Sequence, residues 1–377
     1  MAIDFNVPYL SGYEKDFLIK AIDNGRFCGD QKFSKQLEEF FNIEMGRRLS
    51  LFTPSCTASL EMAALLTEIG PGDEIITPSF TFVSTVNPFV LRGARAKFVD
   101  IRPDTLNIDE TLIEAAITPL TKAIIPVHYA GVSCEMDSIL RIADKYGLKV
   151  IEDAAQGLFS YYKGRPLGTM GTIGCISFHE TKNFHCGEGG LILVNDERLN
   201  ERAEIIREKG TNRRKFLLGE VDKYTWVDIG SSYLASDLSA AFLLAQFQNH
   251  REANKSRLEL WSLYHELLQP LERKGVVRIP HPPMECKHNA HIFYLLVNDL
   301  DKRNQLIDFL KKSDIRSTFH YLPLHQSPFG ATIGEFVGID SNTTRMAGAL
   351  LRLPLHHRMR PSDVSYVSEQ IYKFYQL

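Results

Sequence analysis

The sequence predicts an α/β fold: a large unit on a mostly parallel sheet covered by helices on both faces, then a small C-terminal α/β unit. Three observations predict it. From about residue 48, short apolar runs alternate with helical patterns, as repeated strand–helix–strand units do. A long helical stretch over 236–275 interrupts this alternation, and a shorter α/β pattern follows it. The chain has 377 residues, enough for a large core and for more than one domain.

The elements follow in order. "RRLSLFT" (47–53) reads as a strand, and "TASLEMAALLTEI" (57–69) as a helix with Leu60, Ala63, Ala64 and Thr67 on one face. "GDEIITPS" is a turn and a strand. "STVNPFVLRG" is a helical segment closed by Gly93, and "AKFVDI" is a strand. "TLIEAAI" (111–117) reads as a helix and "TKAIIPVHYA" (121–130) as a strand. "MDSILRIADKYG" is a helix ended by Gly147, and "LKVIEDAAQ" a strand. After the strands in "ISFH" and "GGLILVN" the pattern turns helical to about residue 270. The remainder gives "AHIFYLLV" as a strand, "DKRNQLIDFLKKS" as a helix, "IRSTFHYL" (315–322) as a strand and a terminal helix near 361–375. The expected division lies near residue 247, within a helix, giving a large domain 1–247 and a small domain 248–377. In sheets of this type ligands sit at the carboxyl ends of the strands.

Composition narrows the function. Hydrophobic residues make up 44% and charged residues 24%, an ordinary balance for a globular protein. The formal net charge is −3, from 43 basic and 46 acidic residues, which favours neither nucleic acid nor a polybasic membrane surface. "MAIDFNVPYLSGYEKDF" lacks the basic and apolar regions of a signal peptide, and no apolar run is long enough to span a bilayer. The six cysteines are Cys28, Cys56, Cys134, Cys175, Cys186 and Cys286, without a C-x-x-C pair, so neither zinc nor a redox dithiol is expected. A cytoplasmic enzyme with reduced thiols is the expectation.

Four stretches carry candidate chemistry. In "GLKVIEDAAQG", Glu152 and Asp153 end an apolar strand and point to opposite faces, so one carboxylate faces the strand-end crevice. A solvated carboxylate or a helix cap is the plain alternative. In "TPSCTASLEMAALL", Ser55 and Thr57 lie where a helix starts; they can cap it, and its free N–H groups, Ala58's among them, can bind a phosphate. In "PSFTFVST", Phe80 and Phe82 read as core, although one ring could lie over a planar ligand. In "HETKNFHCGEGG", Lys182 follows a strand ending in Ser177 and Phe178, and Gly187, Gly189 and Gly190 let backbones approach closely. His179, His185 and Cys186 lack a partner cluster and read as lining or packing residues, with no metal expected. A lysine amine, a carboxylate for a pyridinium nitrogen, a helix N-terminus for phosphate and an aromatic for stacking are the parts of a pyridoxal 5'-phosphate site.

"PSCTASLEMAALL", "PSFTFVST", "FVDIRPDTLNID", "PVHYAG", "IEDAAQG", "SFHETKN" and "EGG" occur in that order over residues 53–190. This ordered set resembles the sugar-nucleotide aminotransferases of the DegT/StrS type, pyridoxal-phosphate enzymes of the aspartate-aminotransferase fold. The resemblance implies that Lys182 links covalently to the cofactor, Asp153 pairs with its ring nitrogen and Gln156 bonds its phenolic oxygen. It implies that Phe82 stacks on the ring, and that Thr57, the backbone of Ala58 and Ser177 hold the phosphate. Many relatives have "GYNYR" where this chain has "GSSYL" (230–234), so Ser232 replaces an asparagine that reaches the neighbouring subunit's phosphate. The resemblance also implies a homodimer with the site at the subunit interface. L-glutamate would be the donor, and a nucleotide-linked 4-keto-6-deoxyhexose the acceptor. Arg213, Arg214 and Lys223 are candidates for the acceptor's diphosphate, against a solvated basic loop. His320 and Tyr321 of "FHYLPLH" are candidates for substrate contact, against packing.

A 3-aminotransferase acting on a 3-keto isomer is the close rival. A sugar dehydratase of this fold would carry histidine in place of Lys182. A non-catalytic regulatory protein would be expected to lose part of the cofactor set, which is complete here. The suggested pathway is cell-surface polysaccharide synthesis, such as enterobacterial common antigen or lipopolysaccharide.

Overall fold

The computed structural model describes residues 2–46 and 49–377. Arg47 and Arg48, the first two residues of the strand expected over 47–53, lie outside the described residues.

Helices α1 (Glu14–Asp23) and α2 (Lys32–Glu44) precede strand β1 (Ser50–Thr53). Then follow α3 (Cys56–Leu66), β2 (Glu74–Pro78), α4 (Asn87–Leu91), β3 (Arg95–Val99), β4 (Thr121–Ile124), α5 (Met136–Tyr146) and β5 (Lys149–Asp153). Short strands β6 (Tyr161–Tyr162) and β7 (Arg165–Pro166) lead to β8 (Ile173–Ser177) and β9 (Gly190–Val194). Helices α6 (Asn200–Arg207), α7 (Arg213–Leu217), α8 (Asp237–Gln246) and α9 (His250–Arg273) come next. The chain ends with β10 (Cys286–Lys287), β11 (Phe293–Leu296), α10 (Leu300–Lys312), α11 (Gly330–Ile333), β12 (Gly334–Phe336), α12 (Thr343–Ala349), β13 (Leu350–Leu353) and α13 (Pro361–Tyr375).

The main sheet has eight strands in the order β1-β9-β8-β5-β4-β2-β3-β12. β9 pairs antiparallel with both β8 and β1, and the remaining neighbours are parallel. Successive strand residues divide between two cores. Val150 and Ile176 join Phe41, Phe178 and Phe247 on one face, while Ile151 and Cys175 join Leu60, Ala63 and Phe89 on the other. A third core, around Trp261, Phe293, Leu310 and Ile371, lies among α9, α10, α13 and β11. Among the described residues, no helix is long and apolar enough to cross a membrane.

Local chemistry explains where the sequence expectations and the structure part. α3 is buried around its circumference, not on one face, because it packs between the sheet and α4 and α6. The expected helix at 111–117 is two one-turn 3-10 helices, Glu110–Leu112 and Glu114–Ala116. Seven residues with branched Thr111, Ile113 and Ile117, ahead of Pro119, cannot sustain an α-helix. The expected strand at 121–130 stops at Ile124, just before Pro126. The expected strand at 315–322 is reduced to single bridges, Ile315 with Ile3 and Thr318 with Arg352. There Tyr321 takes a positive φ of 48°, which ends extended pairing. Residue 247 falls in a 3-10 turn, Phe247–Asn249, that joins α8 to α9. The sheet spans that position, because β12 pairs in parallel with β3.

Candidate active site

The site begins at the carboxyl end of β5, where alternation sends Glu152 and Asp153 to opposite faces, as expected. Glu152 goes inward and is fully buried. Its Oε2 accepts from His128 Nε2 (2.9 Å) and the Gly168 N–H (2.9 Å), and its Oε1 from the N–H groups of Met170 and Gly171 (both 2.6 Å). Burial works to raise its pKa, but the bonds from His128, Gly171 and Gly168 outweigh it, and the net shift is downward. Asp153 faces a cleft of about 870 Å³. Its Oδ2 accepts from Thr85 Oγ1 (2.6 Å) and its Oδ1 from the Ala155 N–H (3.1 Å). Thr85 in turn shares a hydrogen bond with Thr81 (2.7 Å).

The N-terminus of α3 opens on the same cleft. Ser55 is its N-cap and accepts from the Ala58 N–H (3.0 Å), so that N–H is already engaged in the free chain. The N–H groups of Cys56 and Thr57 have no partner among the described residues, and they remain for an anion. Thr57 Oγ1 donates to Ser84 Oγ (2.9 Å). Ser177, at the end of β8, is buried with its Oγ accepting from the His179 N–H (3.3 Å).

Lys182 lies in the loop between β8 and β9 and is half-buried at the cleft. Its amine makes no hydrogen bond or ion pair among the described residues. Burial lowers its pKa from the ordinary 10.5, with Arg352 adding to the effect against Cys56 and Asp153. Among the loop glycines, Gly190 lets two backbones approach closely, as expected. Gly187 takes φ 80° at the turn. A Cβ on Gly190 would lie 2.3 Å from the Ser55 carbonyl and 2.4 Å from the Cys56 nitrogen. Gly190 therefore lets β9 pass against the cap of α3, rather than clearing space for a ligand. His179 lines the cleft, whereas His185 is buried, its Nε2 donating to the Tyr9 carbonyl (2.9 Å). Among the described residues, no group of three or more His, Cys, Asp or Glu could hold a metal, and all six cysteines are free.

The two aromatics of "PSFTF" separate. Phe80 is core against Tyr129 (5.1 Å between centroids), while Phe82 is 56% exposed at the cleft mouth. Gln156 Oε1 accepts from the Ala130 N–H (2.7 Å) and its Nε2 donates to the Tyr321 hydroxyl (2.9 Å). Tyr321 stacks on His320 (3.6 Å), and His320 Nδ1 meets the Tyr129 hydroxyl at 2.9 Å. These contacts hold Tyr321 in its left-handed backbone conformation, unusual for a bulky residue.

Thr57, Phe82, Asp153, Gln156, Ser177, Lys182, His320 and Tyr321 thus meet in one cleft. Ser232, Arg213, Arg214 and Lys223 do not line it. Ser232 bridges to Glu208, Arg213 pairs with Glu208 (3.5 Å), Arg214 pairs with Glu204 and Lys223 is exposed. The segment carrying them also exposes Leu217, Leu218, Trp226 and Val227. Among the cleft residues that sequence reading missed are Thr85 and Arg352. Arg352 was visible as the lone charge in the apolar strand "LLRL".

These residues fit pyridoxal phosphate. An unpaired, deprotonation-prone amine and a buried carboxylate lie in one cleft, with an exposed ring and unclaimed N–H groups at a helix start for the phosphate.

Residues 10–372 match the model of the DegT/DnrJ/EryC1/StrS aminotransferase family. The uncharacterized protein MJ1066 of Methanocaldococcus jannaschii is 36% identical over 346 residues, covering 90% of this chain and 89% of that protein. The spore coat polysaccharide biosynthesis protein SpsC of Bacillus subtilis is 32% identical over 381 residues, covering 98% and 96%. Among solved structures, the PLP-form of Spr1654 from Streptococcus pneumoniae superposes with a TM-score of 0.88 at 25% identity, covering 100% of this chain and 99% of that one.

Proposed function

This chain belongs to the DegT/DnrJ/EryC1/StrS aminotransferase family, a sugar aminotransferase with pyridoxal phosphate as cofactor, and we propose that it moves the amino group of L-glutamate to C4 of a dTDP-4-keto-6-deoxyhexose. The product is dTDP-4-amino-4,6-dideoxygalactose. The observation that carries the chemistry is the unpaired, burial-weakened amine of Lys182 in one cleft with Asp153. The choice of sugar is supported by "CTASLEMAALL", "HETKN", "EKGTNR", "VDKYTW" and "DIGSSYLASDL", which resemble dTDP-4-amino-4,6-dideoxygalactose transaminases.

Bound in the cleft, the cofactor supplies an electron sink for negative charge at the amino-bearing carbon. Lys182 would hold it covalently and, as a free amine, would take and return the proton at that carbon. Asp153 keeps its ring nitrogen protonated, with Thr85 fixing the carboxylate. Phe82 would cover the ring, Gln156 would bond its phenolic oxygen, and Thr57, Ala58 and Ser177 would hold the phosphate with the start of α3. For Ala58, the N–H is shared with the Ser55 cap. His320 and Tyr321 wall the sugar side.

A homodimer completes the site in this reading. Ser232, Arg213 and Lys223 reach the partner's cleft, and exposed Trp226, Leu217 and Leu218 are an apolar surface suited to burial against a second copy. The enzyme then serves cell-surface polysaccharide synthesis, in keeping with SpsC, a spore coat polysaccharide biosynthesis protein.

Two experiments test this. Lys182→Ala should abolish the borohydride-reducible cofactor absorbance; a variant that keeps it refutes the assignment of Lys182. Incubation with dTDP-4-keto-6-deoxyglucose and L-glutamate, followed by NMR, should give an axial amine at C4. An amine at C3 or no product defeats the 4-aminotransferase reading, and an equatorial amine defeats only the galactose configuration.

A further inference from the structure

Residues 2–10, ahead of α1, tie two cores together and pass the cleft on the way. Ile3 packs against the third core, its N–H donating to the Asp314 carbonyl (2.8 Å) and its carbonyl accepting from the Arg316 N–H (2.9 Å). His356 Nε2 donates to the Asp4 carbonyl (3.1 Å). Farther along, Tyr9 packs against the core that holds Phe41 and Phe178. Its carbonyl accepts from Gln246 Nε2 (2.7 Å) and His185 Nε2 (2.9 Å). Residues 5–8 lie between these anchors, and Pro8 has its φ fixed by its ring. A span so short, held at both ends, leaves little freedom in where its side chains go.

Phe5 and Asn6 of this span line the cleft with Lys182 and Asp153. Their commitments differ. The Phe5 ring lies against the Arg352 guanidinium (4.8 Å). The Asn6 carboxamide makes no hydrogen bond among the described residues. By contrast, the side chains of Asp153, Gln156, Thr57 and His320 are each bonded within the chain. A carboxamide is neutral and carries two N–H donors beside one carbonyl acceptor. Its best match is a hydroxyl, which donates and accepts as it does. A carboxylate or phosphate only accepts, and would leave the Asn6 carbonyl unused. L-Glutamate brings two carboxylates and an ammonium, whereas a sugar ring brings neutral hydroxyls.

Resting on the aminotransferase reading above, we infer that Asn6 is a specificity residue that hydrogen-bonds a ring hydroxyl of the nucleotide sugar and takes no part in binding the amino donor. One cleft must accept two unlike substrates in turn, and a neutral amide at its edge favours the sugar without attracting the donor. A sugar lacking that hydroxyl would leave the amide unpaired, which is how such a group discriminates.

The test follows the two half-reactions of the holoenzyme separately by cofactor absorbance, one with L-glutamate and one with dTDP-4-keto-6-deoxyglucose. Wild type is compared with Asn6→Leu, which keeps the bulk and removes the polar groups. Asn6→Ala decides the matter if the leucine variant fails to fold. Melting temperature and bound cofactor establish folding. The second-order rate constant with the sugar nucleotide should fall roughly 5- to 20-fold, and that with glutamate should change less than about twofold. Calorimetry adds a reading without turnover. The Kd of unreactive dTDP-6-deoxyglucose should rise by a similar factor, and that of dTDP, which lacks the sugar, should not. Equal losses in both half-reactions mark a purely structural span and overturn the inference. An unchanged sugar half-reaction overturns it too, as does a dTDP Kd that rises as much as that of the sugar nucleotide. The parent reading fails separately, on wild type alone. Should wild type aminate the 3-keto isomer instead, the C4 reading is lost, and the same comparison with that sugar decides for Asn6. Wild type that aminates neither sugar rejects both.

Discussion

Replacing Glu152 by glutamine should destabilise the protein although only one atom changes. The carboxylate accepts four hydrogen bonds, two at each oxygen. A glutamine can place its oxygen toward Met170 and Gly171, but its NH₂ then faces the Gly168 N–H and His128 Nε2. His128 cannot answer by moving its proton, because its Nδ1 already accepts from the Cys134 N–H (3.2 Å). The reverse rotamer sets the NH₂ against two N–H groups. Either way two donors are left facing donors in a fully buried place. Loss of two bonds to a charged acceptor, about 1.5–3 kcal/mol each, puts the destabilisation at about 3–6 kcal/mol. With a slope of about 3 kcal/mol/M, the urea midpoint falls by about 1 M or more. The pH dependence carries a second sign. Because the folded-state pKa of Glu152 lies below its ordinary 4.5, its contribution is complete above that value and fades as the pH falls through the lowered pKa. The gap between wild type and Glu152→Gln should therefore narrow in acid. A midpoint shift below about 0.3 M, or a gap that widens in acid, refutes the clamp as described.

Three further outcomes follow from the same contacts. Gly190→Ala places a methyl against the Ser55–Cys56 backbone and should cost about 1–3 kcal/mol by thermal melting, with weaker cofactor retention on dialysis; an unaltered melt would show slack between β9 and α3. Thr85→Val removes the 2.6 Å bond to Asp153 and should weaken cofactor retention roughly tenfold, more than Thr81→Val, whose hydroxyl does not touch the carboxylate. In cofactor-free protein, burial lowers the Lys182 pKa, so more of its amine is unprotonated at a given pH; the rate of pyridoxal phosphate capture should reach half its maximum below pH 10.5, and a midpoint at or above that value contradicts the desolvated amine.

Much of the site was legible because it lies on strand ends, where alternation is strict. Glu152 and Asp153 had to diverge, whereas Phe80 and Phe82 lie beyond the end of β2, where alternation no longer applies. Helix ends at Gly93 and Gly147 were legible because each glycine takes a positive φ. Less legible were features that depend on tertiary competition. The Ser55 cap already engages the Ala58 N–H that the proposed phosphate would use, a contest that no periodicity records. Arg352 shows in the sequence as the lone charge of "LLRL", but only the fold brings that strand to the cleft. Ser232, Arg213 and Lys223 stand away from the cleft of their own chain, so one chain's contacts cannot assign them a ligand. The stretch at 111–117 misled because its apolar spacing matches a helix while its length and branching do not.

The short strand β12 has a consequence for how the molecule can be divided. Gly334, Glu335 and Phe336 pair with Ala96, Lys97 and Phe98, and Glu335 reaches the Lys97 amine, which also meets Glu74 at 3.1 Å. Gly334 lies so close that a side chain there would meet the Ala96 carbonyl at 2.3 Å. A fragment ending at 247 would leave the outer edge of β3 bare, with a row of unpaired N–H and C=O groups that invites other chains to add on. The two halves are therefore not interchangeable parts. Grafting the C-terminal portion of a relative onto this sheet succeeds only if three residues from deep within the graft fit an edge contributed by the host.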